Sequence, residues 1–250
     1  MEKRLGKKGQ VTIFIILGIV IIAGVLVFFF WIKPNYISEE SGALGFEGCI
    51  KTAIRKSVIE LEKNAGYINP EFTYNDKGEK IVYLCYTNEY YQSCVVQVPF
   101  LKQHFEENLR KATLAEVEVC YEDSVSELRD EGYEVVEGKI NYNVSIEPEA
   151  VGVFIEAPTS VGSQKFSRFN VKINSPLYDI LMISTSVLQF EARYGDTDTD
   201  SLNDFYPDYF VSKMKMSEGT TIYKVTSKIF EDEFKFASRS IVFPAGYGWE

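Results

Sequence analysis

The segment with the clearest chemical pattern is the acidic run at residues 195–208. Its first three aspartates alternate with threonines, and a fourth aspartate follows after a short gap. Calcium loops use this spacing, because alternate side chains converge on one ion while the seventh residue offers its backbone carbonyl. The sequence therefore predicts a calcium site. Its expected ligands are Asp196, Asp198, Asp200, Leu202, Asp204 and Asp208.

The same run resembles the short Asp-rich loops of thrombospondin type 3 and dockerin-like modules. It differs at Ser201, where those loops have glycine, and at Pro207, where a bidentate acid is usual. Asp208 is the candidate to replace that acid. The resemblance implies a weak, extracellular type of site with a structural role. The alternative is a solvated acidic turn that caps the helix before it.

The four cysteines are the second group of residues that could do chemistry. No Cys-x-x-Cys motif occurs and His104 is the only histidine, so a zinc site is not expected. Cys85 and Cys94 flank a predicted hairpin turn. Cys49 lies near the start of one predicted helix and Cys120 near the end of the next, so these two are neighbours if the helices run antiparallel. Of the three possible connectivities, we therefore predict Cys85–Cys94 and Cys49–Cys120, which suits an exported domain. The alternative is four reduced, buried thiols.

Further candidate sites concern modification and partners, not catalysis. Asn143 begins an Asn-Val-Ser sequon and is a candidate for N-glycosylation. Tyr86, Tyr90 and Tyr91 cluster near the hairpin and could contact a surface protein or glycan, or simply cover the core. Because no nucleophile with a paired base and no catalytic metal cluster stands out, we do not predict an enzyme. An ectoenzyme is only a remote alternative.

Charge and hydropathy divide the chain into a short basic start, an apolar run and an acidic remainder. The formal net charge is −10, although residues 1–9 carry four basic side chains and one acidic one. Such an acidic remainder repels nucleic acid, so no nucleic-acid partner is expected. Residues 11–32 carry no formal charge, and about 20 apolar residues are enough to cross a bilayer. The basic residues before this run predict a cytoplasmic N-terminus.

The start of the chain has Lys7-Lys8-Gly9, followed by Gln10-Val11-Thr12-Ile13-Phe14 and the apolar run. This order resembles an archaeal class III signal peptide. Type IV pilin-like precursors carry such peptides, and uncharacterised single-span archaeal surface proteins look similar. The resemblance implies a cut between Gly9 and Gln10, with self-assembly through the helix that follows. Thr12 and Phe14 depart from the Ser and Glu of the archaeal pattern. An uncut anchor, whose lysines only set the topology, is the alternative.

Periodicity predicts an α+β fold: one N-terminal transmembrane helix, then an extracellular domain whose antiparallel sheet is packed by helices. Helices are expected over about 43–65, 99–121, 123–131 and 176–193. Alternating apolar residues predict strands around 140–146, 151–155 and 169–173, and hairpins at 80–98 and 220–243. The predicted parts are a tail or leader at 1–10, the transmembrane helix at 11–32, a linker at 33–42 and the outer domain at 43–250.

The predicted protein is therefore a single-pass protein of the cell membrane with its C-terminal domain outside the cell. The first hypothesis is a pilin-like subunit processed after Gly9, with a calcium-stabilised outer domain. The second is an uncleaved single-span envelope protein that binds a surface partner. Membrane lipid is a predicted partner in both.

Overall fold

A computed structural model describes residues 18–22 and 45–242 of the chain. The chain divides into two units, Met1–Glu40 and Ser41–Glu250. In the first unit, residues 18–22 are helical and residues 19–22 are exposed. The predicted leader with its Gly9–Gln10 cut and the linker at 33–42 lie outside the described residues.

The predicted fold class needs a correction at its transmembrane helix. Within residues 18–22 and 45–242, no helix is both long and apolar enough to cross a membrane. The longest helix, Leu101–Asp130, has 30 residues, but charged side chains run along its whole length. The prediction had relied on the uncharged length of residues 11–32, of which only 18–22 are described.

The second unit is an α+β structure with four helices and ten strands in its described part. The helices are α1 (Glu47–Lys63), α2 (Leu101–Asp130), α3 (Leu177–Tyr194) and α4 (Thr199–Phe205). The first strands are β1 (Thr73–Asp76), β2 (Glu79–Tyr86), β3 (Val95–Val96), β4 (Val135–Glu137) and β5 (Asn141–Glu147). The others are β6 (Ala150–Val161), β7 (Gln164–Asn174), β8 (Tyr209–Lys215), β9 (Thr220–Ser227) and β10 (Glu233–Arg239).

The strands form two sheets, whereas the sequence predicted one antiparallel sheet. The larger sheet has the order β1-β2-β10-β9-β8, with β3 also paired to β2. Strand β10 runs parallel to β2 and antiparallel to β9, so this sheet is mixed. The parallel pair joins strands far apart in sequence, and no local turn signal reveals such a pairing.

The smaller sheet is antiparallel, and its central strand is β6. Strands β5 and β4 pair with β6, and β7 pairs with it as well. The expected alternation is present, since Tyr142, Val144 and Ile146 are buried while Asn143 is exposed. Pro158 lies within β6, where the register with β7 shifts between Glu156 and Thr159. A bulge accommodates a residue that has no backbone N–H to donate.

The helices fill the space beside and between the sheets. Helix α1 packs against α2, β10 and β7, and α3 contacts strands of both sheets. The predicted helices at 99–121 and 123–131 are one continuous helix, α2. Tyr121, Ser124 and Val125 are buried and continue its apolar stripe, and no glycine or proline interrupts it. One large cluster of buried side chains therefore links the helices to both sheets.

Candidate functional site

The first carboxylate of the predicted calcium loop, Asp196, forms ion pairs with two lysines. Lys213 Nζ lies 2.9 Å from Asp196 Oδ1, and Lys215 Nζ lies 2.7 Å from Asp196 Oδ2. Burial acts to raise the pKa of Asp196, but the two ammonium groups outweigh it and lower that pKa below its ordinary value. Asp196 thus already has its counter-charge from β8.

Asp198 is the N-cap of α4. Its carboxylate accepts hydrogen bonds from the backbone N–H groups of Asp200 and Ser201, and from the Ser201 hydroxyl at 2.6 Å. The hydrogen bonds from Ser201 lower the pKa of Asp198. The sequence predicted a loop here, and it missed a short helix that begins in the acidic run.

The remaining predicted ligands do not converge. Asp200, Asp204 and Asp208 are exposed, whereas the Leu202 carbonyl accepts the Tyr206 N–H at 2.9 Å. Within residues 18–22 and 45–242, no group of three or more His, Cys, Asp or Glu side chains could hold a metal ion. In this conformation the loop does not fit a calcium ion, and the calcium site stays a prediction from the sequence.

Both predicted disulfides are present. Cys49 in α1 is bonded to Cys120 in α2, with their Cα atoms 5.9 Å apart. Cys85 in β2 is bonded to Cys94, just before β3, with a Cα separation of 5.3 Å. The first bond joins two helices and the second closes a hairpin, as the spacing had indicated.

A buried glutamate lies behind the second disulfide. Glu191 of α3 is 1% exposed, and its two carboxylate oxygens accept hydrogen bonds from the hydroxyls of Tyr223 and Ser238. Burial raises the pKa of Glu191, while these hydrogen bonds act in the opposite direction. The Ser238 hydroxyl also lies 3.4 Å from Cys94 Sγ. These polar contacts connect α3 to β9 and β10, and connect β10 to the disulfide-bonded hairpin.

A second buried glutamate faces a pocket. The pocket, which we call the Glu62 pocket, has a volume of about 340 Å³ between α1, the start of β2 and β10. Glu62 is 2% exposed, and its Oε1 has no hydrogen-bond partner in the described part of the chain. The residues that line the pocket are Arg55, Ile59, Glu62, Lys63, Glu79, Glu231, Glu233 and Lys235.

An ion pair forms beside this pocket. Asp232 is buried, and the Arg55 guanidinium lies 3.0 Å from its Oδ1 and donates to its Oδ2 at 3.2 Å. Burial, together with the negative charge of Asp232, raises the pKa of Glu62 to about 9, although Arg55 acts to lower it. Glu62 is therefore a neutral acid at pH 7 when the pocket is empty.

The predicted glycosylation site and the predicted tyrosine cluster do not line this pocket. Asn143 is exposed on β5 opposite Phe154, whereas Val144 of the same sequon is buried. Tyr90 and Tyr91 are 67% and 75% exposed, whereas Tyr86 is half-buried in contact with neighbouring rings. The predicted tyrosine cluster is therefore an exposed pair and one packing residue.

Comparison with protein-family models, with curated proteins and with solved structures found no match.

Sequence reasoning missed the Glu62 pocket, although one signal for it was available. Ile54, Val58 and Glu62 recur at a spacing of four, which puts a carboxylate on the apolar face of α1. Asp232 gave no such signal, because it sits in a short acidic stretch between two strands that resembles a solvated turn. Its burial depends on Arg55, which is remote in sequence.

Proposed function

We propose that this chain is a non-enzymatic surface subunit whose disulfide-bonded domain works outside the reducing cytoplasm. The observation that supports this is the pair of disulfides, Cys49–Cys120 and Cys85–Cys94. All four cysteines were paired as expected for an exported domain, and disulfides rarely persist in the reducing cytoplasm. The acidic surface suits an extracellular medium with abundant cations.

Our preferred form of this proposal is a pilin-like subunit that is processed between Gly9 and Gln10. It is supported by the basic residues, the glycine and the apolar run, in the order found in class III signal peptides. Removal of residues 1–9 would leave the apolar sequence at the new N-terminus, available for self-assembly. The domain is then displayed outward from that assembly.

The second candidate is an uncleaved envelope protein that binds a protein or glycan at the cell surface. The exposed pair Tyr90 and Tyr91 favours it, because tyrosine rings at such exposure are common in contact surfaces. Neither candidate requires calcium, since Lys213 and Lys215 already neutralise the first carboxylate of the acidic loop.

Mass spectrometry of the protein from its native cells tests both parts of the proposal. We expect an N-terminus at Gln10 and a gain of two hydrogens per bridge when the intact protein is reduced. An N-terminus at Met1 or Glu2 would support the uncleaved envelope protein instead. If cysteines were alkylated before any reductant was added, the location outside the cytoplasm would be refuted with both candidates.

A further inference from the structure

We propose that the Glu62 pocket is a binding site for a primary ammonium group on an alkyl chain, with the Glu62 carboxylate as its anchor. This goes beyond the surface role and does not depend on it. A buried carboxyl oxygen without a hydrogen-bond donor is unfavourable, because it has lost water and gained nothing in exchange. Glu62 Oε1 is in this condition, and Glu62 is one of the residues that line the pocket.

The neighbouring acids already have cations, and Glu62 has none of its own. Asp232 is paired with Arg55, Glu79 with Lys235 at 2.9 Å, and Glu233 with Lys224 at 3.0 Å. In the described residues, neither Glu62 nor Glu231 makes an ion pair within 4.0 Å. An incoming positive charge therefore has open acceptors at Glu62 and Glu231.

An alkyl stem has a place to lie next to this acceptor. Ile59 is 38% exposed at the edge of the pocket, where it also lines an adjoining groove with Ile173 and Phe230. Phe230 is 36% exposed. Lysine-like stems cover apolar surface while their ammonium group reaches a polar one. The pocket and the groove together match a short chain with one charged end.

The geometry favours an ammonium group over a metal ion or a guanidinium group. No metal-binding group of His, Cys, Asp or Glu exists in residues 18–22 and 45–242. A guanidinium group prefers both oxygens of a carboxylate, whereas only one oxygen of Glu62 lacks a partner among the described residues. One open oxygen at Glu62 suits a compact cation with rotatable donors.

Binding must be coupled to release of a proton, since the anchor carries one in the empty pocket. The pKa of Glu62 is raised to about 9 by burial and by Asp232, with Glu233 adding to it and Arg55 opposing it. The other charged groups at the pocket are Glu79, Glu231, Lys63 and Lys235. The ionised anchor becomes about tenfold more available from pH 7 to 8 and about fivefold more from pH 8 to 9, while an alkyl ammonium with a pKa of about 10.4 stays charged.

Isothermal titration calorimetry of the full chain with butylammonium chloride tests this proposal. We expect the dissociation constant to fall about tenfold from pH 7 to 8 and about fivefold from pH 8 to 9. About one proton should be released per ligand at pH 7 and about half a proton at pH 9, where half of the Glu62 side chains are already ionised. Glu62→Gln should weaken binding more than tenfold and abolish its pH dependence. Glu60→Gln is the matched control, because Glu60 is exposed on the same helix and undergoes the same change of side chain.

Two further measurements keep the result decisive. The carboxyl carbon resonance of Glu62 in the unmodified chain should titrate near pH 9 and shift to lower pH when butylammonium is added. Titrations with N-acetyl-lysine methylamide and with cadaverine then distinguish the two sources of the ammonium group. Tighter binding of the first indicates a lysine side chain of a partner, and tighter binding of the second indicates a free amine. Absence of binding at pH 9, or equal binding by the folded Glu62→Gln variant, would overturn the proposal and leave the surface role untouched.

Discussion

Two buried glutamates are accommodated by different means. Both carboxylate oxygens of Glu191 accept hydrogen bonds, from Tyr223 and from Ser238. Glu62 keeps one oxygen without a donor, beside a pocket. A fully hydrogen-bonded carboxylate stabilises the elements around it, whereas one with an open acceptor has a reason to bind something. The first glutamate is therefore structural and the second is the stronger functional candidate.

The ionisation of Glu62 predicts how stability depends on pH. Its pKa is about 9 in the folded chain and 4.5 ordinarily, so the folded state binds this proton more tightly. The contribution is complete below pH 4.5 and is lost as the pH rises towards 9, by at most about 1.4 kcal/mol per pH unit. We expect the free energy of unfolding to fall more steeply with pH in the unmodified chain than in Glu62→Gln, measured by urea denaturation at pH 5, 7 and 9.

The slope of the free energy of unfolding against pH is the informative quantity, because a buried Gln amide also changes the free energy itself at every pH. Glu60→Gln should retain the steep slope of the unmodified chain, since Glu60 is exposed. Parallel curves for all three proteins would show that Glu62 ionises normally in the fold.

Residue types alone identified a partner that was close in sequence, and the Cys49–Cys120 bond then followed as the remaining pair. Cys85 and Cys94 flank one turn, and their bond could be predicted from that spacing. The partners of Asp196 are Lys213 and Lys215, on a strand that the sequence analysis did not identify. Without β8, the same aspartates matched the spacing of a calcium loop. A spacing motif describes which side chains could converge, but tertiary ion pairs decide whether they do.

At the scale of elements, the helices were easier to predict than the strand pairings. The apolar stripe of α1, with Ile50, Ile54 and Val58, is buried as its periodicity indicated. The limits of α2 were missed because two adjacent apolar stripes were taken as two helices. Strand β1 has one exposed residue, three half-buried ones and no alternation, so its sequence lacked a pattern to detect.

Helix α4 provides a test of the acidic run. Asp198→Ala removes the side chain that accepts the first N–H groups of α4, and we expect the melting temperature to fall by about 2–4 °C. Asp200→Ala is the control, because the Asp200 side chain is exposed and only its backbone N–H takes part in the cap. Thermal denaturation followed by circular dichroism measures both.

The same measurement repeated with calcium separates capping from metal binding. If Asp198 serves only as a cap, calcium should leave the melting temperature of both variants and of the unmodified chain unchanged. A rise with calcium that disappears in Asp198→Ala would instead show that the loop rearranges to bind the ion, with Asp196 released from Lys213 and Lys215.

At the scale of the whole molecule, two disulfides contribute unequally to stability. Cys49 and Cys120 are separated by 71 residues, and Cys85 and Cys94 by 9. Closing a longer loop removes more conformational entropy from the unfolded chain, which corresponds to about 4 kcal/mol for the first bond and about 2.5 kcal/mol for the second. We expect the double variant Cys49→Ala/Cys120→Ala to lose more stability than Cys85→Ala/Cys94→Ala in urea denaturation.

Reduction of the unmodified protein is the matching control. It should lower stability by more than either double variant does alone, because both loops are opened. If the two double variants were equally stable, loop entropy would not explain the difference, and local packing around the hairpin, including the contact of Cys94 with Ser238, would be the dominant effect.

The overall class, α+β, could be predicted from periodicity, but the division into two sheets could not. Each strand pattern identifies a buried face and says nothing about which sheet will cover it. Helix α3 contacts strands of both sheets, so its apolar residues were consistent with one sheet or two. The parallel pairing of β2 with β10 joins strands from opposite ends of the domain and has no local signature.

That pairing also constrains the order in which the domain can be assembled. Strand β10 is inserted between β2 and β9, so the larger sheet stays incomplete until residue 239 has been synthesised. Contacts between such distant segments form slowly, because a long loop must be ordered first. The larger sheet is therefore completed only at the end of synthesis, whereas every strand of the smaller sheet lies between residues 135 and 174 and needs no later strand as a partner.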